Sequence, residues 1–224
     1  MIKSLALLSK RADVSVEYFH WHWREVHGPL ALRIEALRRY VQNHRLRDSV
    51  GGFPRLPQEG IAEVWLDDAA AAAALATNPQ FVEHAGPDEL NFMDREASRS
   101  MKCEEEVLLA GPAIAAGDPG IKTMLFLARD ERGPDRLDRC LTDDLGELCG
   151  ALPRLRRLTV SRPLSGLPET SPYAALVELS WPGIAAYDRG WAGPAGTALR
   201  RAVAESVDLD ASAAVLVEEY RLIW

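Results

Sequence analysis

The chain has 224 residues, 47% hydrophobic and 26% charged, with a formal charge of −7. That balance is of a soluble folded protein with material for a core. It excludes nucleic-acid binding as the main role, which needs clustered Lys and Arg to displace counterions. No apolar run reaches the ~20 residues of a membrane span, and Leu5 to Leu8 is too short for a signal-peptide core. The three cysteines, Cys103, Cys140 and Cys149, show no CxxC spacing. A cytoplasmic protein with reduced thiols and no membrane or nucleic-acid partner is expected.

In chain order, residues 2–8 read as an apolar strand. Asp13 or Ser15 can cap a helix that runs to about Val26, with Gly28-Pro29 as its stop. Residues 37–46 alternate as a strand, and 61–66 form another. Asp67-Asp68 caps an alanine-rich helix that runs to about Thr77. A longer excursion over 78–100 precedes a strand at 101–109. Gly111-Pro112 to Pro119-Gly120 reads as a linker. Beyond it, a helix is expected near 135–149 and strands near 155–163, 173–180 and 213–223. On the helix, Cys140 and Cys149 should lie about 180° apart.

The second part repeats the first. Ile2-Lys3-Ser4-Leu5 is matched by Ile121-Lys122-Thr123-Met124 at an offset of 119, and Leu37-Arg38-Arg39 by Leu155-Arg156-Arg157 at 118. Ala62-Glu63-Val64 is matched by Val177-Glu178-Leu179 at 115, and Glu104-Glu105 by Glu218-Glu219 at 114. Each copy reads β-α-β-β-α-β, the ferredoxin-like split βαβ unit. Such a unit covers one sheet face with helices and leaves the other bare. The expected fold is therefore α+β: two tandem ferredoxin-like repeats, 1–111 and 120–224, closing an intrachain pseudo-dimeric barrel. The partner expectation is a small-molecule substrate, with the chain a self-sufficient monomer or a homodimer.

All five histidines, His20, His22, His27, His44 and His84, fall in the first copy. On a regular helix His20, Trp23 and His27 share a face, and His22 points elsewhere. His20 and His27 lie about 10 Å apart along the axis, too far to ligate one ion directly. No metal is expected, and without GxGxxG or a P-loop no nucleotide cofactor is either. In a strand Tyr40, Gln42 and His44 share one face opposite Val41 and Asn43. Placing Val41 on the helix-packed side turns the polar three toward the barrel lumen, with His27 at its mouth. Histidine suits proton transfer near neutral pH. His27 or His44 is thus the candidate general acid or base, with Tyr40 and Gln42 as orienting donors and Asp94 fixing a histidine tautomer. Alternatively, His27 merely caps carbonyls at the helix end. Trp23 and Phe19 should pack the helix on its sheet. Trp23, Gln42 and Arg162, which stands at the position equivalent to His44, are the expected substrate contacts. A reverse reading gives an anionic group to Arg162, Tyr173 and Tyr187. Glu63 and Glu178, present in both copies, suggest structural pairing with Arg38 or Arg156.

The run Phe19-His20-x-x-Trp23-Arg24-x-x-His27-Gly28-Pro29-Leu30, followed by Leu37-x-x-Tyr40-Val41-Gln42-Asn43-His44, resembles the EthD domain family of dimeric α+β barrel proteins. Glu63 to Asp68 and Phe92-Met93-Asp94 fit the same pattern, whereas the second copy carries Leu158 for Tyr40 and Arg162 for His44. The resemblance implies a fused version of a normally homodimeric barrel, with one working pocket and one degenerate half. It further implies a cofactor-independent lyase, dehydratase or isomerase acting on a small aromatic, lactone or polyketide-like metabolite. A non-catalytic carrier and an oxygenase or haem-handling barrel remain the alternatives.

Overall fold

The computed structural model of the protein describes residues 1–48, 50–112, 115, 120–166 and 171–224, so most of the predicted linker lies outside the described residues. β1 (Ile2–Lys10) leads into α1, which runs Val16–His22 as α-helix, Trp23–His27 as a π turn and Gly28–Ala31 as α-helix again. Ser15, not Asp13, caps it by accepting from the Tyr18 N–H, while Asp13 pairs with Arg11. β2 (Arg39–Arg47), β3 (Gly60–Leu66) and α2 (Ala69–Ala74, with a tighter turn Leu75–Thr77) follow. The predicted excursion is partly regular. It holds α3, a π turn Phe81–Ala85 joined to Gly86–Glu89, and β4 starts at Met93 and runs to Leu109. The second half comprises β5 (Ile121–Ala128), α4 (Asp135–Arg139, a π turn Cys140–Asp144, then Leu145–Gly150), β6 (Arg157–Pro163) and β7 (Ala175–Trp181). α5 (Ile184–Ala192), α6 (Pro194–Ser206) and β8 (Asp208–Ile223) complete it.

Two expectations fail at the π turns. Gly28-Pro29 does not stop α1. Pro29 has no N–H and its ring crowds the carbonyl four residues back, and the widened π register accommodates it, with the Gly28 N–H bonded to the Trp23 carbonyl. Gly86-Pro87 repeats the device in α3. In α4 the π turn adds a residue between Cys140 and Cys149, so both thiols join one apolar core instead of opposing each other.

The eight strands close into a barrel in the order β1-β3-β2-β8-β5-β7-β6-β4, with β4 returning to β1. The two halves meet at β2–β8 and β4–β6. His44 lies opposite Glu218, and Arg162 opposite Glu104, which are the same pair once the repeat offsets are applied. A pseudo-two-fold axis therefore runs through the lumen.

Strand alternation decides which side chains fill that lumen. Leu5, Leu7 and Ile61 pack there against Met124, Phe126 and Val215 of the other half. Val41 and Asn43 face the same way, with Asn43 donating 2.9 Å to Glu63. Tyr40, Gln42 and His44 consequently face the helices, the reverse of the expectation. A valine fits either face of a closed barrel, so Val41 carried no orientation.

At one end of the lumen Lys3, Glu63, Lys122 and Glu178 form an alternating ring. Lys3 Nζ lies 2.5 Å from Glu63 and also pairs with Glu178; Lys122 Nζ lies 2.5 Å from Glu63 and 2.9 Å from Glu178. Lys3 and Lys122 are repeat equivalents, as are Glu63 and Glu178. Equivalent outer carboxylates complete it: Glu105 on Lys3 at 3.0 Å and Glu219 on Lys122 at 2.9 Å. Burial alone would raise the Glu63 carboxyl, but Lys122 and Lys3 hold it well below the usual range. The predicted arginine pairs do not form; Arg38 binds Asp67 at the surface, and Arg156 takes no part in the ring. Removing one member strands buried charge, so Lys122→Met is expected to lower stability by about 3–5 kcal/mol in urea unfolding. A loss below about 1 kcal/mol would show that the ring does not hold the halves together.

Candidate active site

The helix-facing side of the first half holds a partly open cavity of about 110 Å³ between β1–β3 and helices α1 to α3. Ser4, Ala6, Ala62 and Val64 form its floor, and Phe81, Leu75 and Met93 close its sides. The volume suits a molecule of about one ring; an apolar cavity of roughly 150 Å³ accepts benzene. The polar groups in the wall are Ser4, His27, Tyr40, Glu89 and the Trp23 indole. The repeat explains why the equivalent space in the second half is filled. Ser4, Ala6, Ala62 and Val64 are replaced by Thr123, Leu125, Val177 and Leu179, which pack with Trp181, Tyr187 and Trp191, the Trp181 N–H donating to Thr123 at 3.0 Å.

His27 reaches the wall from the π turn of α1. One residue added to a helical turn brings positions five apart nearly into line, so His22 joins His27 on one face. Both bind a single carboxylate, Asp88 of α3: His22 Nε2 at 2.9 Å and His27 Nδ1 at 3.1 Å. Asn91 donates to it as well, at 2.9 Å. Burial would raise the Asp88 carboxyl, but the bonds from His27, Asn91 and His22 outweigh it and hold the group well below the usual range. An ionised carboxylate only accepts, so His27 carries its proton on Nδ1 and leaves the Nε2 lone pair toward the cavity. His22 donates through Nε2 and takes the Tyr18 hydroxyl on Nδ1 at 3.1 Å. Glu89, in the same wall, is pushed up by burial and partly held back by Arg95 and His27.

Opposite this dyad, burial pushes the Tyr40 hydroxyl up to about 12, against smaller effects of the adjacent Gln42 and Trp23 side chains. Tyr40 therefore stays a donor across the neutral range. The Trp23 Nε1–H beside it is fully buried, without a hydrogen-bond acceptor in good geometry among the described residues. The indole seats closely because position 60 is glycine, where a Cβ would come within 2.5 Å of the ring. A site with the Tyr40 donor and a histidine base in its wall has the parts for acid/base work on a ligand that carries one oxygen.

Of the sequence-derived candidates, His27, Tyr40 and Trp23 meet at this cavity. Gln42 lies behind Tyr40, donating to its hydroxyl at 3.0 Å. His44 does not line the cavity. Its ring sits between Trp23 (4.6 Å) and Tyr220 (4.8 Å), both nitrogens are engaged by His20 and Gln42, and burial pushes it down to about 3. It cannot serve as the base. Asp94 is exposed and caps the N–H groups of Glu96 and Ala97; the tautomer-fixing carboxylate is Asp88. Arg162 is half-exposed and pairs with Glu106 at 3.1 Å, because the helix side of its half is solidly packed. Tyr173 is in the lumen and Tyr187 in the second-half core, so the reverse anionic site does not assemble. Asp88 and Glu89 escaped the sequence reading; Gly86-Pro87, matching Gly28-Pro29, was the available signal.

Among the described residues no group of three or more His, Cys, Asp or Glu is placed to hold a metal ion, and no helix is long and apolar enough to cross a membrane. The closed sheet with outer helices defines a dimeric α+β barrel, here built by one chain. Residues 11–96 match the EthD domain. The whole chain shares its fold with an anthrone oxidase-like protein (TM-score 0.68, 13% identity, 99% of this chain and 93% of that one). It also shares it with a candidate monooxygenase from Fusobacterium nucleatum (TM-score 0.61, 6% identity, 98% and 92%). A further candidate monooxygenase, from Lactobacillus acidophilus, superimposes with a TM-score of 0.54 at 9% identity, over 99% and 93% of the two chains. No match was found among curated proteins.

The depressed His44 carries a stability signature. Between the ordinary imidazole value of 6.5 and about 3, the unfolded chain binds a proton at this position that the folded chain does not. Stability is therefore lost as pH falls through that window, by about 2 kcal/mol at about pH 5. Urea unfolding of His44→Gln should show a correspondingly weaker fall between about pH 7.5 and 5; an unchanged fall would contradict the burial of a neutral imidazole.

Proposed function

We propose that the protein is a small-molecule enzyme that removes a proton from a carbon acid bound in the first-half cavity. The observation that carries this reading is the His27–Asp88 pair in the wall of a partly open, largely apolar cavity that Tyr40 also lines. His27 Nε2 takes a proton from carbon next to a carbonyl. The developing enolate oxygen is stabilised by the Tyr40 O–H, and Asp88 stabilises the imidazolium that forms. Returning the proton to another carbon gives an isomerase, and expelling a hydroxyl gives a dehydratase. A single-ring aromatic, lactone or polyketide-like metabolite fits the volume.

A second reading extends the first. The same carbanion can react with dioxygen, and the fold likeness to an anthrone oxidase-like protein and to candidate monooxygenases supports that course. A carrier that only holds its ligand would not need the oriented base.

The test follows exchange of the α-CH₂ protons of cyclopentanone for deuterium by NMR, with an oxygen electrode in parallel. Wild-type protein should accelerate exchange, and His27→Gln should lose about 10²–10⁴-fold of that acceleration while still binding the ketone. Equal exchange by both proteins would overturn the reading. Oxygen uptake that depends on His27 would select the oxygenase course.

A further inference from the structure

Tyr40 ends a hydrogen-bond chain whose other members lie outside the cavity. His20 Nδ1 and His44 Nδ1 are 2.8 Å apart, His44 Nε2 lies 3.2 Å from Gln42 Oε1, and Gln42 Nε2 lies 3.0 Å from Tyr40 Oη. Gln42 Nε2 is also 2.8 Å from the Trp23 carbonyl oxygen. A carbonyl only accepts, so that contact fixes which end of the amide is nitrogen. The remaining protons follow link by link. Gln42 Oε1 must accept from His44 Nε2–H. The neutral His44 ring then has its lone pair on Nδ1, and His20 must donate its Nδ1–H to it. At the far end Tyr40 Oη accepts from Gln42, and its own proton is left to point into the cavity. All the links run in one direction, so each polarises the next.

We infer that His20, His44 and Gln42 are positioning residues that lock the Tyr40 hydroxyl as a donor, and thereby select small-ring ligands bearing an acceptor oxygen. The inference rests on the cavity being the ligand site proposed above. It assigns a role to His20, which is half-buried, sits 3.9 Å from the buried Glu59 and does not line the cavity. If His20 stops donating, His44 is free to move its proton to Nδ1. The amide then loses the contact that fixes it, and the Tyr40 hydroxyl can turn away from the ligand.

The test uses two ligands of matched shape, benzaldehyde with an acceptor oxygen and styrene without one, and reads the ratio of their Kd values by calorimetry. Changes in this ratio between variants cancel differences in ligand hydration. Tyr40→Phe and His44→Phe should each lower the preference for benzaldehyde about tenfold, the size of one net hydrogen bond. His44→Gln, which keeps a donor toward Gln42, should retain it within about twofold. His20→Ala, which removes a partly buried side chain, should lower it about threefold and raise the carbonyl stretching frequency of bound benzaldehyde. A ratio and frequency unchanged in His20→Ala would overturn the inference. Should Tyr40→Phe alone lower the ratio, the cavity reading stands and the chain is refuted. Should Tyr40→Phe also leave it unchanged, the reading of the cavity fails with it.

Discussion

The buried ring of Lys3, Glu63, Lys122 and Glu178 is the constraint on which the rest of the structure turns. Four charges removed from water are tolerated only when each has opposite partners within bonding distance. Here two come from each half and alternate around the pseudo-two-fold axis. With that ring and the apolar cluster around Leu7, Met124 and Phe126, the lumen is filled. Neighbouring side chains along a strand must then point outward, toward the helices. Ser4, Ala6, Tyr40, Ala62 and Val64 thus become one wall of a space between sheet and helices, and any cavity has to form there.

Duplication supplied two such spaces and substitution closed one. Where the first half has Ala6 and Ala62, the second has Leu125 and Val177, and Trp181, Tyr187 and Trp191 fill what remains. The packed half still serves the open one. Tyr220 of β8 presses on the His44 ring, Arg24 stacks on Tyr220 at 4.9 Å, and Leu222 lies against Gly28. The site therefore belongs to the fused pair and not to the first half alone.

Much of the fold was legible because repeat offsets and strand alternation are written along the chain. Lys3 with Lys122 and Glu63 with Glu178 stood out as paired positions, although their partners needed three dimensions. His27, Tyr40 and Trp23 were legible as chemistry-bearing residues. What escaped were features that depend on register. Whether Tyr40 or Val41 faces the helices is a choice of sheet side, and apolar residues line both sides of a closed barrel. The π turns of α1 and α3 lie beyond a fixed helical period of 3.6 residues, so the meeting of His22 and His27 on Asp88 was hidden. The contrast of alanine with leucine and valine between the copies was present in the sequence, and it marks which half is hollow.

The most direct test of this account is to locate a bound ring. Crystals soaked in 4-bromophenol report the halogen by its anomalous scattering. Bromine between β1–β3 and helices α1 to α3, with the phenol oxygen at Tyr40, is the expected result. Bromine in the barrel lumen, or only in the second half, would contradict the account.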